Sequence, residues 1–229
     1  MLFFLKNMKI FFVLVAIFLI TLNCKTVNDV IWDGSCTTTS ISGLSQQLSE
    51  MLVKQFPDLI SNIHESNRIQ LSSAARVVPI LQKTAYLNLN SALIKYPSLN
   101  LEINSAFRLC TQQTLLYKWY QNKLCGISLA ASPGRSAHES GLAVDLSNYD
   151  QWISKLTYFG FQWQGSDDPV HFTYVGSGAQ SLSYYNVLAF QKLWNCNNPN
   201  DRISEDGAFG PSTEEKILAS PANGFPQTC

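Results

Sequence analysis

Charge is scarce in this chain. Asp, Glu, Lys and Arg make up 14% of its 229 residues, and 16 basic residues balance 16 acidic ones. Without a basic field or a polybasic stripe, nucleic acid is excluded as an expected partner. Internal repeats and low-complexity tracts are missing too, which removes solenoids and repeat arrays. Histidine is limited to three residues. No cysteine lies close to the two that matter below, so a structural zinc site closed by thiolates is not expected there. What is present is a neutral, polar, aromatic-bearing chain, suited to a ligand recognised by hydrogen bonding and stacking. Its length fits one moderate domain with additions, or two small ones.

Two of the three histidines stand in the informative stretch Ser136-Ala137-His138-Glu139-Ser140-Gly141-Leu142-Ala143-Val144-Asp145, followed by Asp168-Pro169-Val170-His171. Two imidazoles and a carboxylate, with a fourth position open to water, are the composition of a catalytic zinc site. His138 and Asp145 are too far apart for neighbouring turns of one helix, so a bend at Ser140-Gly141 must bring them together. Leu142 to Leu146 alternates as a strand, with Ala143 and Asp145 on one face and Leu142, Val144 and Leu146 on the other. His171 to Val175 reads as a second strand carrying the third ligand. Asp168 falls where a general base would act on water. Glu139 is expected to turn to solvent, His64-Glu65 to be solvated, and Trp119, Trp163 and Trp194 to be core.

The run Ser-x-His-x-x-Gly-x-Ala-x-Asp, with an acidic residue three positions before a His, resembles the zinc D-alanyl-D-alanine carboxypeptidases. It is similar also to the related L-alanyl-D-glutamate endopeptidases of the VanY-like peptidoglycan peptidase family. Ser105-Ala106-Phe107-Arg108 and Gln112 resemble that family's Ser-Gly-Tyr-Arg…Gln element, and the likeness spans roughly residues 74–175. The resemblance implies Zn²⁺ held by His138, Asp145 and His171, with Asp168 as catalytic base. It implies Arg108 stabilising the developing oxyanion or holding substrate, Ser136 hydrogen-bonding the substrate, and peptidoglycan or its muropeptides as partner. Ala106 in place of Gly and Val170 in place of Trp leave the bond cleaved open between the two activities. Two other readings remain: a non-catalytic wall-binding protein, and a zinc peptidase acting on a non-wall peptide.

Lys6 and Lys9 precede the apolar run 10–20, which reads as a signal peptide over residues 1–24. Secretion is expected, with a lipid-anchored form through Cys24 or an uncleaved anchor as alternatives. Six cysteines in an exported chain favour disulfides. Proximity favours Cys110 with Cys125 and Cys196 with Cys229, leaving Cys36 to Cys24 unless processing removes or lipidates Cys24.

Residues 25–73 read as an exposed Thr/Ser-rich lead-in and then a helix from Leu44 to Ile63, and residues 74–176 as the peptidase domain. Within that domain helices are expected at Pro79–Tyr96 and Thr111–Asn122, and strands at Asn100–Asn104 and Phe159–Trp163. Residues 177–181 form a Gly/Ser linker. Residues 182–229 carry Phe190-Gln191 and Asp206-Gly207-Ala208-Phe209-Gly210-Pro211-Ser212-Thr213, which resemble the peptidoglycan-binding three-helix module, with Ser212 or Thr213 capping the last helix. The expected class is α+β: a small, largely antiparallel sheet flanked by helices, plus that C-terminal module. A monomer is expected.

Overall fold

The computed structural model describes residues 25–72, 77–227 and 229. The apolar run, Cys24 and the expected signal segment lie outside them. In chain order the elements are α1 (Val27–Trp32), α2 (Ser42–Gln55), β1 (Ile60–Asn62), β2 (Ile69–Leu71), β3 (Ile80–Gln82) and α3 (Lys83–Lys95). There follow β4 (Leu101–Ser105), α4 (Cys110–Gln121), β5 (Ala143–Leu146), α5 (Ile153–Tyr158), β6 (Phe161–Trp163) and β7 (His171–Tyr174). The chain ends on α6 (Ser183–Asn197) and α7 (Pro211–Ala219). The class is α+β, as expected.

The main sheet has the order β2-β4-β5-β7-β6. It is antiparallel except for the edge pair β2–β4, which is parallel. Alternation along β5 sends Val144 and Leu146 into a core with Leu101, Ile103 and Phe172, closed by α3 (Leu89, Ala92) and by Trp152 and Leu156. Asp145 is left on the opposite face.

Several element boundaries differ from the sequence reading. α2 stops at Gln55 because Pro57 disfavours helical backbone at the preceding residue. The stretch beyond it becomes β1, pairing antiparallel with β3. The first residues of the expected Pro79–Tyr96 helix are therefore strand, and the helix starts only where the Gln82 side chain accepts from the Ala85 N–H. The Thr/Ser-rich lead-in is not exposed as expected. Thr26 and Asp29 close a capping box, and Val27, Val30 and Ile31 of α1 are buried. Three apolar residues at helical spacing outweigh the polar composition around them.

A second core joins both ends of the chain. Leu44, Leu48 and Leu52 of α2 and Leu115 and Trp119 of α4 meet Val187, Phe190 and Leu193 of α6 and Ile217 of α7. The backbone closes the same junction, Val27 donating to Ser220 O at 2.9 Å and Leu44 to Ala222 O at 3.2 Å. Residues 182–229 supply two helices where three are expected, because the turn-rich stretch between them holds Gly207 and Gly210. Neither Ser212 nor Thr213 caps α7; Gly210 stands at that position with Pro211 in the first turn. Thr213 instead accepts from Gln191 Nε2 at 3.2 Å.

Cys196 pairs with Cys229, as expected, whereas Cys36 pairs with Cys125. The expected Cys110–Cys125 bridge does not form. Cys110 opens α4 and Cys125 follows its far end, with a helix about 18 Å long between them. Cys110 is a buried free thiol, its pKa pushed well up by burial.

Removing residues 182–229 strips several large apolar side chains from the second core, each worth about 1.5–3 kcal/mol. The sum rivals a typical domain stability of about 5–15 kcal/mol. The truncated protein should therefore lose the cooperative thermal transition of the full chain; a calorimetric trace retaining it with a similar midpoint would contradict the shared core.

Candidate metal centre

Pairing across three adjacent strands sets the centre. Asp145 on β5 lies opposite His171 on β7 and opposite Ser105 on β4, so the three form a row across the sheet. His138 comes from the loop before β5. That loop turns back at Gly141, whose φ of 69° a residue with a Cβ adopts only at a cost. The result brings His138, Asp145 and His171 together, one donor atom from each, all within 4.8 Å of one another.

Hydrogen bonds on the far side of each imidazole orient the rings. His138 Nδ1 donates to the Ala106 carbonyl at 2.7 Å, which leaves Nε2 directed at Asp145 Oδ1, 3.3 Å away. His171 Nε2 lies 3.0 Å from Thr173 Oγ1, with Nδ1 at 2.9 Å from the same carboxylate oxygen. Thr173 and the Ala106 carbonyl were not singled out from sequence. For Thr173 a signal existed, since it sits two residues beyond His171 on the same strand face.

The donor set fits a divalent metal. Burial lowers the His138 pKa, against the pull of Asp145, so the ring is held neutral. With its proton committed to Ala106, Nε2 turns a lone pair toward a carboxylate oxygen, a contact that a cation between them relieves. Burial alone would raise the Asp145 pKa, but the imidazoles of His138 and His171 beside its carboxylate outweigh burial and hold the group ionised. Zn–N and Zn–O bonds of about 2.0–2.2 Å in a tetrahedron place neighbouring ligand atoms roughly 3.3 Å apart, close to the separations found. His138, Asp145 and His171 would hold such an ion.

The other expected site residues surround this group. Arg108 donates to Gln113 Oε1 at 3.0 Å. Burial lowers its pKa while Asp145, Glu139 and Asp168 pull it back up. Its backbone is held twice over, by its own N–H donating to the His138 carbonyl and by Asn186 Nδ2 of α6 donating to its carbonyl at 3.0 Å. Gln113 and Asn186 were missed from sequence; nothing local marks Asn186, which lies 78 positions away. Asp168 is exposed in the turn between β6 and β7, where its carbonyl accepts from His171 N at 3.2 Å. It stands outside the three-residue donor group. The Ser136 hydroxyl is buried and accepts from His138 N at 3.3 Å.

Glu139, expected in solvent, is fully buried. Its carboxylate accepts from Gly134 N at 2.9 Å and Ser136 N at 3.2 Å, and so shapes the loop that carries His138. Burial pushes its pKa up to about 7, against those amides and Arg108. Its place between site residues suggested a solvent-facing turn, but the amides of the preceding loop turn inward and need an acceptor.

Two buried imidazoles and an ionised carboxylate beside a held guanidinium bring three potential ligands of one metal ion together. Residues 81–168 match the VanY family model, D-alanyl-D-alanine carboxypeptidase. The match takes in Arg108, Ser136, His138, Asp145 and Asp168 and ends three residues before His171, which the sheet brings to Asp145. That match points to a peptidase. Comparison with curated proteins found no match.

Glu139→Ala leaves at least two buried amides without an acceptor, each costing about 1–3 kcal/mol. Its thermal midpoint should fall by several degrees. In the metal-free protein the folded-state pKa of about 7 lies above the ordinary 4.5. Folding therefore favours the protonated form, and this contribution to stability is lost as pH rises from 4.5 toward 7. Glu139→Gln should remove that component, flattening stability against pH over this range relative to wild type; an unchanged slope would refute the assignment.

Proposed function

We propose that the protein is an exported zinc peptidase hydrolysing peptidoglycan stem peptides, at a D-alanyl-D-alanine or an L-alanyl-D-glutamate bond. The observation that carries this is the His138 Nε2 lone pair facing the ionised Asp145 carboxylate at 3.3 Å, inside the stretch that matches the VanY family model. Zinc in that position would supply Lewis acidity, lowering the pKa of water and polarising a carbonyl. The chain's own residues supply the rest. Asp168, exposed in the turn three residues before His171, takes the proton of the attacking water and returns it to the leaving amine. Arg108 faces the charge that develops on the carbonyl oxygen. With its side chain shared with Gln113 and its backbone clamped by Asn186 and His138, it reorganises little as that charge forms. Ser136 orders the His138 turn and borders the substrate.

The C-terminal helices have a role within the same proposal. Gln191 of α6 donates to Asp206 Oδ1 at 2.9 Å and accepts from Gly207 N at 2.8 Å. This ties the Phe-Gln helix to the Asp-Gly turn that resembles peptidoglycan-binding modules, and we assign this face to wall attachment. The neutral chain fits glycopeptide better than a charged polymer. Export, with the anchor alternatives of the N-terminal segment, places enzyme and wall in one compartment.

Metal analysis should find one zinc per chain, absent from His138→Ala; undiminished metal in that variant would sink the ligand set. Asp168→Asn should keep its zinc and lose about 10²–10⁴-fold in turnover, read by mass spectrometry of muropeptides, whose fragments also identify the bond cut. Near-normal turnover would place the base elsewhere, with Asp167 the first alternative. The same variant should co-sediment with insoluble peptidoglycan in the presence of excess soluble stem peptide, and failure to sediment would remove the wall-attachment role.

A further inference from the structure

A cleft of about 340 Å³ opens from the metal centre, a size typical of small-ligand sites. It is lined by Asp145, Arg108 and Ser105, which belong to that centre. The same lining includes residues that no part of the proposed chemistry uses: Cys36, Thr37 and Thr38. They come from the segment between α1 and α2, outside the stretch matched by the family model.

This segment is fixed in three places. Upstream, the Ile31 carbonyl accepts from Trp119 Nε1 of α4 at 3.2 Å. In the middle, Cys36 is bonded to Cys125, just past the C-terminal end of α4. Downstream, Thr37 caps the short 3₁₀ helix Thr38–Ile41, its hydroxyl accepting from Thr39 N at 3.3 Å, and Ile41 is fully buried in the second core. The strap is therefore a rigid wall. Thr38 is half-buried, and its hydroxyl has no hydrogen-bond partner among the described residues. Between strap and centre the cleft offers the amide side chains of Asn104 and Gln112 and the apolar surface of Leu116 and Ile127. Its only ionic groups are Arg108 and Asp145, both at the reacting end.

We infer that the disulfide-held strap Cys36–Thr38 forms a distal subsite for the backbone of a peptide whose scissile bond lies at the metal centre, without preference for side-chain charge. This rests on the peptidase reading above. The physical reason is that a neutral, mixed polar and apolar channel imposes no charge preference. A hydroxyl and two carboxamides offer hydrogen bonds to a passing peptide backbone. A wall anchored at three points orders little further on binding and so wastes little affinity. The subsite makes the enzyme selective for longer peptides over a bare dipeptide, and it exists only when the N-terminal segment is covalently tied to the far end of α4.

The test compares a stem pentapeptide with the dipeptide D-alanyl-D-alanine in zinc-loaded full-length protein. Wild type, Thr38→Trp and the double variant Cys36→Ser/Cys125→Ser are measured. Binding is followed by calorimetry and cleavage by mass spectrometry, with metal content and thermal midpoint recorded alongside. Thr38→Trp should weaken pentapeptide binding by roughly tenfold or more, the worth of one or two lost contacts. The pentapeptide-to-dipeptide ratio of kcat/KM should fall by a similar factor, with zinc content retained. The double variant should lower the same ratio. Equal pentapeptide affinity in wild type and Thr38→Trp, equal losses on both peptides, or no pentapeptide binding by wild type would each overturn the subsite. A wild type that binds the pentapeptide, loses that binding in Thr38→Trp and cleaves neither peptide would instead keep the subsite and overturn the peptidase reading.

Discussion

The contact on which the rest of the site depends is Asp145 Oδ1 shared between two imidazoles, at 3.3 Å from His138 and 2.9 Å from His171. Holding an ionised carboxylate against a neutral ring is unfavourable in the absence of a cation, so the surrounding structure has to impose it. The sheet does so through register: a one-residue slip between β5 and β7 would turn Asp145 to the opposite face and take it out of the site. The loop before β5 does so through Glu139, whose buried carboxylate gathers the amides of Gly134 and Ser136 and fixes the path into His138. Carbonyl and hydroxyl partners on the outer ring nitrogens complete the arrangement, the pattern by which proteins orient metal ligands.

The support for this centre reaches through the whole chain. Arg108 lies at the junction between β4 and α4, and its backbone is held by the His138 carbonyl on one side and by Asn186 of α6 on the other. Asn186 also accepts from Cys110 N at 3.1 Å, so one buried carboxamide pins the start of α4. The second core is assembled from α1 and α2 at one end of the sequence and α6 and α7 at the other, with α4 among them. Rigidity in α4 is therefore a property of both termini. The strap at Cys36 is part of the same construction, tying the N-terminal segment to the far end of α4.

This coupling has a consequence for how recognition and chemistry are divided. The reacting groups stand on the sheet and its adjoining loops, whose positions follow from strand register. The far walls of the cleft stand on helices and on a disulfide-held strap, whose positions follow from packing between distant segments. Function of this kind is carried on connecting segments held by a rigid scaffold.

The donor triad, the α+β class and the match to a peptidase family were all legible in the residues, because they rest on local patterns. His138, Gly141 and Asp145 stand within one bend and one alternating strand. The acidic residue before His171 lies in the same short stretch as its ligand. The spans of the helices expected from sequence were legible to within a few residues, except where Pro57 and the pairing of β1 with β3 intervened, whereas α1 and α5 were not read as helices. The burial of Glu139, the place of Thr38 in the cleft, the clamp of Asn186 on Arg108 and the Cys36–Cys125 bond were decided only by tertiary structure. Each joins residues far apart in the chain, or sets the solvent exposure of a polar group whose local sequence is compatible with either environment. Cys110 and Cys125 are near in sequence and still cannot meet, since the helix between them holds their ends apart. Sequence specifies which groups are available and the local geometry that presents them; which distant partners reach them depends on how whole elements pack, because contact energies are realised only once the chain has closed on itself.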